Sequence, residues 1–190
     1  MDAAPKGRRR KPRSSGKGGS LLETLVVLLV SFALVFGVVR PFIVQSFWIP
    51  SESMTPTLEV GDRIFVNKFV YRFSEPERGD IVVFESKGAD DEDLIKRVIA
   101  LPGDHVALYH GELYVNFQHL DEPYVQTPYT ENVFSDDALG ALTVPEDKIL
   151  VLGDNRANSR DSRFFGPVSM DTIEGEAFAI FWPLSRIGLL

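Results

Sequence analysis

The 190-residue sequence predicts a mostly β protein, with one N-terminal transmembrane helix followed by an all-β domain. Two observations support this fold class. A single apolar run over residues 21–39 has the length of a membrane span, and short apolar or alternating runs separated by turn-forming residues follow it. No long helical period occurs after residue 40, so we expect the rest of the chain to form strands.

The N-terminal segment differs in charge from the rest of the chain. Residues 1–20 carry seven Lys/Arg and one Asp, a net charge of +6, whereas residues 41–190 carry 12 Lys/Arg and 25 Asp/Glu, a net charge of −13. The basic run Arg8–Arg13 could mark a nucleic-acid patch, but before a membrane span it more simply follows the positive-inside rule. We therefore predict a disordered cytoplasmic tail over 1–20, an extracytoplasmic domain over 41–190, and no nucleic-acid partner.

The apolar run reads "LLETLVVLLVSFALVFGVV" and contains one charge, Glu23, in 19 residues. As a helix it would span about 30 Å, the thickness of a bilayer core. A cleaved signal peptide is the alternative, but the apolar region of such a peptide usually has ~7–15 residues. The run also ends in Val39-Arg40-Pro41 without a small-x-small cleavage site there. We predict an uncleaved, single-pass membrane anchor over 21–39.

The predicted strands of the domain are short and separated by turns. They are Ile64–Lys68, Phe69–Phe73, Ile81–Phe84, Leu94–Ala100, Val106–Tyr109, Leu113–Asn116, Ile149–Leu152 and Ala177–Phe181. The uncharged segment 42–49 is either a core strand or a strand at the lipid interface, where Trp is favoured. The polar, turn-rich stretch 121–147 is predicted to be a loop or a small excursion on the sheet.

The composition argues against metal and disulfide chemistry. The chain contains no Cys, which excludes disulfides and thiolate ligands. The three histidines, His105, His110 and His119, lack the helical HExxH spacing of a zinc site. We expect no metal and no cofactor.

The stretch "IPSESMTPTL", residues 49–58, contains a candidate nucleophile. Pro50 and Pro56 favour an extended backbone, in which Ser51 and Ser53 face one way and Glu52 faces the other. Glu52 is then a poor partner for Ser53. A serine hydroxyl needs an adjacent base, and on several unrelated folds a lysine serves in place of histidine.

Four lysines follow the apolar run: Lys68, Lys87, Lys96 and Lys148. Strand alternation places Lys96 on one face with Leu94, Val98 and Ala100, where an ammonium group would be desolvated. Lowering a lysine pKa from ~10.4 to about 8 requires roughly 3 kcal/mol, which burial can supply. Arg97 lies on the opposite face and needs a carboxylate partner. On these residues alone, a Lys96 side chain that merely reaches solvent from its strand remains an alternative.

Three separated blocks make the sequence resemble the type I signal peptidases, membrane-bound Ser-Lys endopeptidases that remove signal peptides from exported proteins. The blocks are "IPSESMTPTLEVGD" at 49–62, "RGDIVVF" with "IKRVIALPGD" at 78–104, and "VLGDNRANSRDSRFFGPV" at 151–168. The resemblance covers essentially the whole chain. It implies a catalytic domain of coiled antiparallel sheets, and a lysine rather than a histidine base favours the bacterial or organellar branch.

The resemblance also implies roles for individual residues. Ser53 matches the nucleophile, Lys96 the general base, and Ser51 the hydroxyl that joins the Ser53 amide in the oxyanion hole. The matching supporting residues are Ser159, which orients the lysine amine, the ion pair Asp161 and Arg163, and Asp154, the partner of Arg97. The family often has glycine between the two serines, where this chain has Glu52.

The implied substrates are exported preproteins, bound as an extended strand along residues near 49–53 and 94–96. The residues expected around shallow pockets for small-x-small (Ala-x-Ala) sites are Ile49, Pro50, Met54, Leu58, Leu94 and Ile95. The lipid bilayer is the other predicted partner, in the bacterial cytoplasmic membrane, and the protein is expected to be monomeric.

Two other functions are alternatives to this one. A self-cleaving regulator with the same Ser-Lys chemistry would need a cytosolic DNA-binding region, whereas this chain has an apolar run and a short basic tail. A membrane-anchored, non-catalytic β-domain that binds exported or envelope proteins would leave both serines inert. Cleavage of a preprotein separates the enzyme from such a binding domain.

Overall fold

The computed structural model describes residues 17–39, 43–86, 92–109, 112–126 and 141–190. The chain divides into two compact units, Met1–Val39 and Arg40–Leu190. Several predictions lie outside the described residues: the tail over 1–16, the positions of Lys87 and His110, and the part of the excursion over 127–140.

Within its described residues, 17–39, the N-terminal unit forms one α-helix, which begins earlier and ends earlier than the predicted span. The α-helix, α1, covers Lys17–Leu34 and is followed by a π-helix over Val35–Val39. Its apolar part with α geometry, 21–34, is about 21 Å long at 1.5 Å per residue, shorter than a bilayer core of about 30 Å. Among the described residues no helix is long and apolar enough to cross a membrane, so the transmembrane prediction over 21–39 is not confirmed.

In the described residues of the second unit, twelve strands form two antiparallel sheets, which confirms the mostly β prediction. The strands are β1 (Val44–Trp48), β2 (Arg63–Asn67), β3 (Ile81–Glu85), β4 (Asp93–Ala100), β5 (His105–Tyr109), β6 (Glu112–Val115), β7 (Gln118–His119), β8 (Ala141–Thr143), β9 (Lys148–Leu152), β10 (Val168–Ser169), β11 (Ile173–Trp182) and β12 (Gly188–Leu189). Seven of the eight predicted strands overlap an observed strand, and the segment 42–49 contributes the edge strand β1.

The larger sheet has the strand order β1-β2-β11-β3-β4-β9-β10, and β12 pairs with the end of β11. The smaller sheet has the order β7-β6-β5-β8. Strand β8 lies at the end of the predicted excursion and pairs with β5, so the excursion returns to the sheet as a strand. A short helix, α2, covers Ser162–Phe165, and the Asp161 side chain caps it by accepting a hydrogen bond from the amide of Arg163.

The predicted strand over Phe69–Phe73 is wrong. This segment forms a 3₁₀ helix over Val70–Arg72, because the Asn67 side chain accepts a hydrogen bond from the Phe69 amide and turns the chain where β2 ends. The aromatic residues that suggested a strand remain at the surface, where Phe69 and Phe73 contact each other edge to face.

Buried side chains of the described residues form three clusters in the core of the second unit. One of them lies beneath the "IPSESMTPTL" segment and includes Ile49, Met54 and Leu58 together with residues of β2, β3 and β11. A second cluster contains Val98 from β4, packed with β3 and β9. Ile95 of β4 packs against the first cluster and Val98 belongs to the second, so β4 carries side chains into the core on both faces of the sheet.

Candidate active site

The segment that contains the two serines folds as a turn, where an extended backbone was predicted. The Thr55 amide donates to the Glu52 carbonyl at 3.1 Å, and the Leu58 amide donates to the Met54 carbonyl at 2.9 Å. Met54 and Leu58 are fully buried, so these two apolar side chains anchor the turn in the core. Burial of these two side chains stabilises the turn.

The turn still brings the two serines together and directs Glu52 away from them. The Ser51 hydroxyl donates to the Ser53 hydroxyl at 3.3 Å, and the Glu52 carboxylate accepts from Asn158 at 3.2 Å. Ser53 is 7% exposed, whereas Ser51 and Glu52 are open to solvent. The hydroxyl of Ser53 therefore lies at the boundary between the core and an accessible surface.

Lys96 reaches the Ser53 hydroxyl from the centre of β4. Its Nζ donates to Ser53 Oγ at 2.9 Å and to the Ile95 carbonyl at 2.7 Å. The side chain is 3% exposed, and this burial lowers the pKa of Lys96 to about 8, against the opposing effect of Asp161 and Asp154. A distance of 2.9 Å suits proton transfer, and a pKa near 8 leaves part of the amine neutral at physiological pH.

Arg97, the residue after Lys96, is held by a carboxylate from the loop after β9. Its Nε and Nη2 donate to the two carboxylate oxygens of Asp154 at 2.9 and 2.6 Å, while the Thr57 hydroxyl also donates to Asp154. The Asp154 side chain is 0% exposed and that of Arg97 is 12% exposed. This bidentate pair ties β4, the serine turn and the loop after β9 to one another.

A second buried ion pair lies in the same loop. Asp161 accepts from Arg163 Nε at 2.8 Å and from the Gly153 amide at 3.0 Å, and its side chain is 0% exposed. Because Asp161 also caps α2, one carboxylate fixes both the short helix and the end of β9.

No hydrogen bond joins Ser159 to Lys96 among the described residues, and its role in orienting the amine stays a prediction. Its Oγ is buried and has no hydrogen-bond partner among the described residues. It lies instead against Gly153: a Cβ built on Gly153 would be 2.2 Å from Ser159 Oγ and 2.4 Å from the Ser53 carbonyl oxygen. Besides Ser53, the Lys96 amine donates to the Ile95 carbonyl.

Three of the six residues predicted to form shallow pockets lie below the surface. Ile49 is 2% exposed and Met54 and Leu58 are 0% exposed, so these three side chains form the floor beneath the site. Leu94 and Ile95 are half-buried, and Pro50 is exposed. The sequence pattern could not distinguish residues of the buried floor from residues that line the surface, because apolar side chains occur in both places.

Among the residues that the structure describes, one edge of β4 has no neighbouring strand next to Lys96; we call it the open edge of β4. Val98 exchanges backbone hydrogen bonds with residues 79 and 80 on the β3 side, so by alternation the backbone groups of Ile95 point to the other side. On that side β9 ends at Leu152, opposite Arg97. Within the described ranges no strand pairs with this edge at Ile95, where an extended chain could add.

Sequence reasoning missed several residues around the site. Thr57 and Asn155, which donates its amide to the Ser53 carbonyl at 3.1 Å, lie in the matched blocks and could have been found there. Glu122, Tyr124 and Arg156 form contacts that no local pattern signals. In the part of the chain that the structure describes, no cluster of three or more His, Asp or Glu side chains could hold a metal ion.

Comparisons with known proteins agree on one family. The family model described as "Signal peptidase, peptidase S26" matches residues 21–182. The "Probable signal peptidase I-2" of Synechocystis sp. is 40% identical over 185 residues, 95% of this chain and 82% of that protein. The "Signal peptidase I" of Leptolyngbya laminosa is 44% identical over 177 residues, 90% of this chain and 84% of that protein.

A crystal structure of a signal peptidase I from Enterococcus faecalis is also similar, at 38% identity and a TM-score of 0.45. The matched region covers 54% of this chain and 97% of the Enterococcus faecalis chain. On the family match and the two long, well-covered relatives, the chain belongs to the signal peptidase family, peptidase S26, and is a peptidase hydrolase.

Proposed function

We propose that the chain cleaves signal peptides from exported preproteins with Ser53 as the nucleophile and Lys96 as the general base. The observation that carries this proposal is the 2.9 Å contact between Lys96 Nζ and Ser53 Oγ inside the core. Burial lowers the pKa of Lys96 to about 8, so part of the amine is neutral near physiological pH. Its contact with Ser53 Oγ allows the neutral amine to take the hydroxyl proton.

The reaction follows from these contacts. Lys96 accepts the Ser53 proton as Oγ attacks the scissile carbonyl carbon, and the resulting ammonium then gives that proton to the leaving amine. A water molecule then attacks the acyl-enzyme and loses a proton to the same amine. The resulting ammonium returns that proton to Ser53 Oγ as the acyl–oxygen bond breaks, which restores both residues. The Ser53 amide and the Ser51 hydroxyl stabilise the oxyanion, and such donors contribute ~3–4 kcal/mol each in known cases.

The substrate binds as an added strand on the open edge of β4, through the backbone groups of Ile95. Hydrogen bonds to the substrate backbone hold its scissile bond beside Ser53 without reading its side chains. The floor formed by Ile49, Met54 and Leu58 leaves little depth above it, which favours small residues at a small-x-small cleavage site.

We also propose that the N-terminal unit holds the enzyme at the bacterial cytoplasmic membrane, with the catalytic unit on the extracytoplasmic side. In support, the apolar side chains of α1 are exposed, for example Leu21 at 74% and Phe32 at 61%, and residues 1–20 are strongly basic. Alkaline extraction of cell membranes and protease protection of spheroplasts test location and orientation separately.

The test is cleavage of a purified preprotein bearing an Ala-x-Ala site by the full-length chain. Ser53→Ala and Lys96→Ala should each abolish product formation. Lys68→Ala is the matched control, because Lys68 is one-third exposed and pairs with Glu174, so its loss should leave cleavage intact. Cleavage that survives Lys96→Ala would contradict the assignment of the base, and a folded wild type without activity would favour a binding domain.

A further inference from the structure

Two residues at the start of the excursion, Glu122 and Tyr124, contact the two arginines that flank the candidate site. Arg97 lies over the Tyr124 ring with its Cζ 4.1 Å from the ring centroid, and Arg156 approaches the same ring at 5.9 Å. Glu122 accepts from Arg156 Nη1 at 2.8 Å and from Nη2 at 2.7 Å. We call this group of four side chains the arginine clamp.

The clamp reaches the reacting residues through both arginines. Arg97 directly follows Lys96 in β4 and neutralises Asp154, as described above. Arg156 donates from Nε to the Gly153 carbonyl at 2.8 Å, at the point where the backbone packs against the Ser53 carbonyl. Arg97 therefore acts on β4, which carries the proposed base Lys96, and Arg156 acts on the loop behind the proposed nucleophile Ser53.

The clamp is buried as a charged unit. The Arg156 side chain is 0% exposed and that of Glu122 is 9% exposed, while Tyr124 is half-buried. Burial raises the pKa of Tyr124, so the phenol stays neutral and presents an aromatic face to the Arg97 guanidinium. A cation packed on an aromatic face at this distance is held more firmly than one in solvent.

We propose that Tyr124 and Glu122 are positioning residues for the Ser-Lys reaction, which hold Arg97 on Asp154 and Arg156 on Gly153 so that the Lys96 amine stays aligned with Ser53. This inference rests on the proposed function and deepens it. It assigns to the excursion a role at the catalytic centre, although neither residue touches Ser53 or Lys96.

Loss of the arginine clamp should raise the pKa of Lys96. The charged groups that act on Lys96 are Asp161, paired with Arg163, and Asp154, paired with Arg97. If Arg97 is released from the ring and moves off Asp154, the carboxylate attracts the ammonium form of Lys96 more strongly, and added water stabilises that form as well. Both changes raise the pKa of Lys96.

The experiment compares Tyr124→Leu with Tyr124→Phe in the full-length chain. Leucine keeps apolar packing but removes the aromatic face, whereas phenylalanine keeps the ring. For Tyr124→Leu the acid limb of the pH profile of kcat/KM should move to higher pH by about one unit. At pH 7 this shift should lower kcat about tenfold and leave KM unchanged. Tyr124→Phe should retain the wild-type profile, as should the control Phe117→Leu, whose ring is 89% exposed.

A second readout does not depend on cleavage. The pKa of the Lys96 amine, followed by NMR in protein labelled with ¹³C-lysine, should rise in Tyr124→Leu and stay unchanged in Tyr124→Phe. An unchanged Lys96 pKa in folded Tyr124→Leu protein overturns the inference, even if thermal melting shows lower stability. A wild type that fails to cleave, combined with a shifted Lys96 pKa in Tyr124→Leu, overturns the proposed function and supports the clamp.

Discussion

At Lys96, burial and charge act on the same amine in opposite directions. With 3% exposure the amine has lost most of its hydration, which favours the neutral form, whereas the nearby carboxylates of Asp161 and Asp154 favour the ammonium. Each carboxylate is already paired with its own arginine, Arg163 or Arg97. The pairing weakens their attraction for the amine, so burial prevails and the pKa falls to about 8.

We expect the rate of cleavage to rise with pH through this pKa. Lys96 acts as a base only when neutral, so below pH 8 each unit of pH should increase kcat/KM about tenfold, with a plateau above. The measurement is kcat/KM on a signal-peptide substrate between pH 6 and 10. A profile that is flat across this range, or that falls as pH rises through 8, would show that another group accepts the proton.

The same pKa predicts an unusual effect on stability. Between pH 8 and the ordinary lysine value of 10.5 the unfolded chain binds more protons than the folded chain, so Lys96 favours folding increasingly as pH rises. Below pH 8 the buried ammonium costs on the order of 3 kcal/mol. Lys96→Met should therefore raise the free energy of unfolding at pH 7 by up to about that amount, and by less at pH 10.

Urea denaturation of wild type and Lys96→Met at both pH values measures this effect. Lys68→Met serves as the control, because Lys68 is partly exposed and forms a salt bridge, and its replacement should not stabilise the protein. A Lys96→Met variant that is less stable than wild type at pH 7 would mean that the amine is stabilised by its contacts more than it is penalised by burial.

At the scale of elements, the end of β9 determines how closely the nucleophile turn and its supporting loop can approach. Gly153→Ala would place a Cβ 2.2 Å from Ser159 Oγ and 2.4 Å from the Ser53 carbonyl oxygen. We expect a loss of roughly 1–3 kcal/mol in stability from overpacking and a fall of about 100-fold or more in kcat from displacement of Ser53.

Thermal unfolding and cleavage assays on purified Gly153→Ala measure the two effects. Gly188→Ala is the matched control, because the nearest atom to its built Cβ is 4.0 Å away. Equal activity of the two variants would show that the turn and the loop can move apart without harm to the site.

The elements that sequence predicted well are those fixed by alternation over a whole strand. In β4 the pattern placed Lys96 and Val98 on a buried face, and both side chains are buried. Predictions failed where the contacts of individual side chains determine the conformation of the backbone. Asn67 turns the chain before residues 69–73, and the buried Met54 and Leu58 draw the serine segment into a turn.

At the scale of the whole molecule, the contacts at the site join positions far apart in sequence. Ser53 and Lys96 are separated by 43 residues, and Arg97 and Asp154 by 57. Periodicity carries no information about such distances, so these pairs could be predicted only through the resemblance of the three blocks to a known family. The contacts of Glu122 and Tyr124 lie outside those blocks, and nothing in the sequence indicated them.

The division of the chain into two units leads to a prediction about truncation. All three core clusters lie within Arg40–Leu190, so a protein that begins at residue 41 should fold and should keep the contacts of Lys96 and Asp154. We expect it to cleave a soluble signal-peptide substrate with the same pH profile as the full-length chain. Circular dichroism melting and the peptide assay measure this. A truncated protein that does not melt cooperatively would show that the first 40 residues are needed for folding.

The open edge of β4 at Ile95 has a consequence for the breadth of the enzyme's repertoire. Main-chain carbonyls, and the amides of all residues but proline, are the same in every polypeptide. Substrate binding through these groups would therefore accept many unrelated substrates at one catalytic centre. The amino acid that lacks an amide hydrogen is the exception. A proline placed opposite Ile95 should make an otherwise acceptable substrate resistant, whatever its flanking residues.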